Sequence, residues 1–494
     1  MYPELFAPST VPDFGSLEAI DPLALVSAAD PAGLAIVDAA RADALTWAEL
    51  LDRTAPIVAA LAAAGVSRGS RVAVALPAGS AFALTLHSSL RLGAAIVPLS
   101  PRAPAAGLRA QLRDCRPVVV IGENHGGGAE TAAKSLAIPF LQIDSGVVSA
   151  ATSQVEGGIT GMTPAQEISV VYTSGTTGAP RGVRQTFGNH LASALGCRAS
   201  LSSAQGESWL LVLSPHHIGG LAIFMRGLLA AQPVITLPEF SEGQVLETLR
   251  QHRPRLLSLV PAQLRRLLSA GGLSELRDAR AILLGGGPAP ADDVTEWAAA
   301  GLPVCPTYGL TETCSQVCTV PPGMARAMSG TAGPAHPYVR VEVRPSGSGL
   351  GEIWVGGPVL SPRYVHPSGE GRNQTAMFPT GDSGELTSEG WLRVSGRLDD
   401  TILTAGENVD PGEVEMVLAA HPGVEDIGVV GLADPIYGSR VAAVVVGDVS
   451  AEQLQAWARE QLPSFKVPRA WARAAELPRT ESGKLQRSRL VEFF

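Results

Sequence analysis

Ile168-Ser169-Val170-Val171-Tyr172-Thr173-Ser174-Gly175-Thr176-Thr177-Gly178-Ala179-Pro180-Arg181-Gly182-Val183 joins an apolar, strand-like run to a loop of hydroxyls, glycines and one cation. Glycines at 175, 178 and 182 let backbone N–H groups come close to a ligand and form an anion-binding concavity. The Ser and Thr hydroxyls add donors that a purely structural turn does not require, and the strand before them gives the loop the setting of a phosphate-binding turn. Chemistry on ATP is the expectation. A Walker A loop is excluded by spacing, because no glycine is followed, after four intervening residues, by Gly-Lys-Ser/Thr; Pro180-Arg181-Gly182 occupies that place.

Outward from the loop, apolar periodicity predicts helices over 47–65, 82–93 and 105–115, each followed by a buried strand, at 71–76, 95–99 and 117–121. Repeated helix-then-strand units imply an α/β fold with mostly parallel sheets covered on both faces. Residues 122–166 are rich in Gly, Ser, Thr and Ala, with one short strand expected around 140–142. Beyond the loop, strands are expected at 210–213, 234–237, 256–260, 281–284 and 304–307. Alternating runs at 339–344 and 351–355, separated by Pro345-Ser346-Gly347-Ser348-Gly349, predict a hairpin in a smaller β unit.

Asp410-Pro411-Gly412-Glu413 and Ser450-Ala451-Glu452-Gln453 read as capping boxes that open two helices, with strands between them at 427–432 and 441–446. The polar run Arg397-Leu398-Asp399-Asp400 separates the two patterns. A large N-terminal domain of residues 1–396 and a small α+β C-terminal domain of 397–494 are expected.

A length of 494 residues exceeds one ordinary core, and 46% hydrophobic with 17% charged residues describes a well-buried globular chain. The formal net charge of -9 argues against nucleic-acid binding, so an anionic substrate must be met by locally placed cations and backbone donors. The five cysteines contain no C-x-x-C pair, which supports neither a metal cluster nor a disulfide framework and suits a reducing compartment. Cys314 and Cys318 read as small buried hydrophobes. Met1-Tyr2-Pro3-Glu4-Leu5 lacks a basic secretion leader and no apolar run is long enough to cross a bilayer, so a cytoplasmic protein without membrane insertion is expected. Self-association into a homo-oligomer is left open.

Further polar islands interrupt apolar segments: Gly285-Gly286-Gly287-Pro288, Tyr308-Gly309-Leu310-Thr311-Glu312-Thr313, Thr380-Gly381-Asp382, Gly396-Arg397-Leu398-Asp399-Asp400 and Arg479-Thr480-Glu481-Ser482-Gly483-Lys484. In this order behind the Ser/Thr/Gly loop, they resemble the acyl- and aryl-CoA synthetase superfamily of adenylate-forming enzymes, over residues 46–489. The resemblance implies that Thr173, Ser174, Gly175, Thr176, Thr177, Gly178 and Arg181 hold the ATP phosphates. It assigns Gly285, Gly286, Gly287 and Tyr308 to the adenine, Thr311 to the α-phosphate, and Asp382 and Arg397 to the ribose. Glu312 matches the Mg²⁺ ligand, a sensible task for one carboxylate beside phosphate oxygens and water. Lys484 matches the lysine that the small, mobile domain brings to the reacting carboxylate, where its charge stabilises adenylation. Asp399 aligns with the hinge, and Gly406 with the wall of the CoA pantetheine channel. Carboxylate plus ATP would give acyl-AMP and pyrophosphate, and CoA would then displace AMP after a domain rotation. The resemblance leads one to expect Lys where this chain has Arg181, which keeps the charge but presents a planar fork.

Residues 183–190, 283–290 and 311–316 resemble the branch of that superfamily that activates o-succinylbenzoate in menaquinone biosynthesis. That acid keeps an aromatic carboxylate free while its succinyl carboxylate reacts, so its pocket needs a second cation. Arg226, in an apolar helix-like run, stands where the resemblance puts that cation; an arginine extending along a helix to water is the other reading. His217 matches the histidine near the acyl pocket, and Ser315 a hydrogen-bonding group for the substrate. Another acyl- or aryl-CoA synthetase, or a non-CoA adenylating or nucleotide-binding protein, are the alternatives.

Overall fold

Two large, mostly parallel sheets carry the chain. The computed structural model describes residues 18–494 except 124–126, 145–146, 149–160, 175–179, 288, 346–350, 366–376, 405–406, 481–482 and 484. One eight-stranded sheet runs in the order Ser315–Thr319, Val304–Leu310, Ala281–Leu284, Leu256–Leu259, Trp209–Leu211, Val234–Thr236, Leu34–Asp38, Asp43–Thr46. The other runs Arg363–Tyr364, Pro180–Thr186, Glu167–Ser174, Ala95–Pro98, Arg71–Ala75, Val119–Gly122, Phe140–Asp144, Val147–Val148. The expected α/β architecture is borne out, with the strands at 71, 95, 256 and 281 beginning where the apolar runs begin.

The largest hydrophobic core draws on both sheets at once. It joins Val72, Val74 and Ile96 of one sheet to Ile36, Trp209 and Leu211 of the other through Phe82, Leu84, Phe187, Leu191, Phe224 and Leu228. The helices Ser80–Arg91, Phe187–Leu201 and Ile218–Ala230 that supply those side chains are buried almost all round, as helices between two sheets must be. Arg226 lies within the stretch of residues 220–230 that is buried throughout, so it has no route to water.

The helix Phe187–Leu201 starts with no loop after the strand Pro180–Thr186. Asn189 N–H donates to Thr186 Oγ1 at 3.2 Å and Thr186 N–H to Asn189 Oδ1 at 2.8 Å, so a reciprocal cap fixes the exit of the strand that follows the Ser/Thr/Gly loop. The predicted hairpin forms: Arg340–Pro345 pairs antiparallel with Gly351–Gly356 inside a four-stranded sheet completed by Phe378–Leu386 and Leu392–Arg397. A separate core around Val409, Val414, Val429, Val441 and Leu454 belongs to the C-terminal sheet and its two helices.

One cap differs from expectation. Asp410 caps Pro411–Ala419 by accepting from Gly412 N–H at 2.8 Å, but Glu413 does not close the box. Its carboxylate takes Lys466 Nζ instead, at 2.7 and 2.6 Å, because a full ion pair outcompetes one backbone N–H for the same oxygens. The Ser450 box closes as read, with Gln453. Asp410 also packs on the preceding segment, where a Cβ at Gly396 would fall 2.5 Å from its Oδ1.

Candidate active site

The described flanks of the Ser/Thr/Gly loop are paired backbone. Thr173 faces Arg181 and Ser174 faces Pro180 across an antiparallel ladder, so the two ends of the loop are clamped one above the other. Gly175, Thr176, Thr177 and Gly178 lie outside the described residues, as do Gly406 and Lys484. Gly182 allows a close approach, since a Cβ there would sit 2.8 Å from Val365 and 3.0 Å from Val170.

Tyr308, Asp382 and Arg397 come together although they are far apart in sequence. Tyr308 donates its hydroxyl to Asp382 Oδ2 at 2.6 Å, and Arg397 Nη1 donates to Asp382 Oδ1 at 2.8 Å. Burial, with the Asp382 charge beside it, holds the Tyr308 phenol protonated far above its ordinary range. Arg397 also faces Asp399, 3.9 Å away, so the expected ribose pair and the expected hinge residue are adjacent. Strand pairing explains the meeting: Asp382 and Arg397 are opposite one another in neighbouring antiparallel strands.

Thr311 and Glu312 form the single turn between the strands Val304–Leu310 and Ser315–Thr319. Buried Gln185 donates to the Thr311 carbonyl at 2.8 Å, Ser361 N–H donates to the Glu312 carbonyl at 2.8 Å, and Tyr364 O–H donates to Glu312 Oε1 at 2.9 Å. Gly309 lets the turn close: a Cβ there would lie 1.8 Å from the Ser315 carbonyl oxygen. Among the described residues no group of three or more His, Cys, Asp or Glu could hold a metal by itself. A lone Glu312 carboxylate is the donor set that suits Mg²⁺ arriving on phosphate oxygens with its own waters.

Arg226 is 4% exposed on the helix Ile218–Ala230, which rules out the reading in which it reaches water. Its Nη2 donates to Ser315 Oγ at 3.0 Å, its guanidinium lies 5.6 Å from the Trp209 ring centroid, and its Nε has no hydrogen-bond partner. No carboxylate pairs with it among the described residues. The titratable groups around it cannot neutralise it. Burial, then the Arg226 charge, push His190 and His336 down to about 3, so both rings are neutral. Burial raises the thiols of Cys197 and Cys314, so neither is a thiolate. An isolated buried cation costs several kcal/mol, on the order of the total that a domain has to spare.

His217 is the residue before that same helix, nine positions ahead of Arg226, or about 13 Å at 1.5 Å per residue. The two therefore bracket a length of helix rather than meet. Gly285 and Gly286 follow the strand Ala281–Leu284, where a Cβ on Gly286 would touch Val260 at 3.2 Å. The other methyl of Val260 lies 3.8 Å from a Cβ built on Gly483. The residue preceding Lys484 thus abuts the same wall of the large domain as the glycine turn.

Sequence reading missed Tyr364, the link from Gln185 to Thr311, and the neutral shell of Arg226. The first sits in a two-residue edge strand without a periodic signal. Gln185 carries no clear signal either, since it shares its strand face with the apolar Val183 and the charged Arg181.

A Ser/Thr/Gly loop with paired flanks, a carboxylate held by a tyrosine and an arginine, and a separate C-terminal core fit an adenylate-forming enzyme. The AMP-binding enzyme family matches residues 26–365 and the AMP-binding enzyme C-terminal domain matches residues 413–484; the chain belongs to this family. Among its relatives, 2-succinylbenzoate–CoA ligase of Bacillus velezensis is 35% identical over 464 residues, 91% of this chain and 93% of that protein. The o-succinylbenzoate CoA synthetase from Bacillus subtilis, solved with the acyl-adenylate intermediate OSB-AMP, has a TM-score of 0.88 at 30% identity, covering 96% of this chain and 98% of that one. The same synthetase solved with ATP and a magnesium ion has a TM-score of 0.87 at 30% identity, over 95% and 99%.

Proposed function

We propose that this protein is an AMP-forming acid–thiol ligase that activates o-succinylbenzoate with ATP and transfers it to CoA, a step of menaquinone biosynthesis. The observation that carries the choice of acid is Arg226, a buried cation that no carboxylate, thiolate or other anion offsets among the described residues. A monocarboxylic acid, once its carboxylate sits at the phosphate, would leave this charge uncompensated. A dicarboxylic aromatic acid supplies the missing anion.

In this reading the succinyl carboxylate attacks the α-phosphorus and pyrophosphate leaves, and the CoA sulfur then attacks the acyl carbon and AMP leaves. Residues 173–182 cradle the phosphates, with Arg181 as their cation, and Thr311 meets the α-phosphate. Gly285, Gly286, Gly287 and Tyr308 hold the adenine, while Asp382 and Arg397 take the ribose hydroxyls. Mg²⁺ bound with ATP neutralises phosphate charge, and Glu312 supplies its protein ligand. Arg226 holds the aromatic carboxylate, Ser315 fixes the guanidinium, and His217 stands at the reacting end. Lys484 meets the charge that builds up in adenylation; rotation about Asp399 then exchanges it for the segment around Gly406, which lines the CoA channel. The 1–396 and 397–494 division gives the two moving parts. Use of ATP and CoA assigns the reaction to the cytoplasm, and among the described residues no helix is long and apolar enough to cross a membrane.

A coupled assay with ATP, CoA and a panel of acids tests the assignment. o-Succinylbenzoate should be preferred over benzoate, medium-chain fatty acids and 3-benzoylpropionate. Preference for a monocarboxylic acid would overturn it, and pyrophosphate release without CoA consumption would point to a non-CoA adenylating enzyme.

A further inference from the structure

Glu312 has one side-chain partner among the described residues, the hydroxyl of Tyr364 at 2.9 Å on Oε1, which leaves Oε2 unengaged. Tyr364 reaches it from the edge strand Arg363–Tyr364, paired antiparallel to the strand that leaves the phosphate loop, with Tyr364 opposite Val183. The strap is tied on both sides. Val365 N–H donates to the Gly182 carbonyl at 2.8 Å, Ser361 Oγ donates to the Arg184 carbonyl at 2.6 Å, and Ser361 N–H donates to the Glu312 carbonyl. The Arg181 guanidinium carbon lies 6.0 Å from the centroid of the Tyr364 ring, within reach of a cation–π contact. One aromatic ring therefore faces the cation of the phosphate loop and, through its hydroxyl, the acid of the neighbouring turn.

We propose that Tyr364 is a positioning residue that aims the Glu312 carboxylate at the metal of the nucleotide complex and sets it at a fixed distance from Arg181. This rests on the reading of Glu312 as the metal ligand. A carboxylate held through one oxygen presents the other in a single orientation, and outer partners of this kind commonly change metal affinity by about 10-fold or more. The Arg181 guanidinium, at 6.0 Å, lies at the outer edge of cation–π range from this ring.

The test is Mn²⁺ binding, followed by electron paramagnetic resonance, to the full-length protein with α,β-methylene-ATP, which cannot release pyrophosphate and needs no acid. Tyr364→Phe keeps the ring and removes the hydroxyl. It should weaken Mn²⁺ binding about 10-fold, while affinity for the metal-free nucleotide and the unfolding midpoint stay at the wild-type values. Mn²⁺ affinity within twofold of wild type would overturn the proposal. A cycle guards against general damage: in a Glu312→Gln background, Tyr364→Phe should add less than a twofold effect, and a full 10-fold effect there would show that the tyrosine acts elsewhere. Failure of the wild-type protein to bind Mn²⁺ with the nucleotide would sink the metal-ligand reading itself, along with the proposal.

Discussion

Replacing Arg226 by methionine separates the substrate clamp from every other role that residue could have. The wild-type guanidinium is buried beside neutral histidines and protonated thiols, with Ser315 Oγ as its hydrogen-bond partner. Removing it leaves the aromatic carboxylate of the acid buried without a partner, a loss of about 3 kcal/mol, so kcat/KM for o-succinylbenzoate should fall ~100-fold or more. For 3-benzoylpropionate, which lacks that carboxylate, kcat/KM should hold steady or rise. Stability should move the other way. An uncompensated buried cation exchanged for an apolar chain of similar length is neutral to stabilising by about 1–4 kcal/mol, so the unfolding midpoint should not drop. Steady-state kinetics on the two acids and a thermal melt suffice. A loss below threefold refutes the clamp, and so does an equal loss on both acids, which would mean that the substitution damages the pocket rather than its charge.

Two further outcomes are expected. Lys484→Ala should abolish pyrophosphate release from acid and ATP, yet still convert supplied acyl-AMP and CoA to the thioester; equal loss of both steps would contradict a mechanism of two orientations. Burial raises the Asp410 carboxyl to about 6 from an ordinary 3.8. The stability linked to that shift is full below the lower value and lost as pH rises through the higher one. Asp410→Asn keeps the acceptor for Gly412 N–H and removes the charge, so thermal melts should show it gaining on wild type as pH rises from about 4 to about 6 and holding that gain above, and a pH-independent difference would rule this out.

How much of this was legible beforehand follows from the range of the interactions. The helix Ala105–Cys115 has the limits its periodicity predicts, and the strands beside it fall within a residue or two, because burial of one face writes itself into neighbouring residues. The cap at Asp410 was only half legible, since its would-be partner Glu413 is taken by Lys466, 53 residues on. Site residues grouped by motif order meet where strand pairing joins them, as with Asp382 and Arg397. Tyr364 escaped because its strand is two residues long and its meaning lies in a partner 52 positions away. The charge problem at Arg226 escaped for another reason: whether a helix faces water or lies between two sheets depends on the whole topology, and apolar runs of both kinds look alike.

Ser315 holds a backbone φ of +93°, territory that glycine occupies without strain, immediately after Cys314 at +52°. The chain keeps a side chain there against that local cost, on the order of 1 kcal/mol, and what the side chain contributes is the oxygen on Arg226. A glycine at this position would relax the turn and loosen the guanidinium in one step. On the proposed role of Arg226, acid preference can therefore drift in evolution through a turn outside the helix, with a more comfortable backbone as the immediate reward and a less selective ligase as the result.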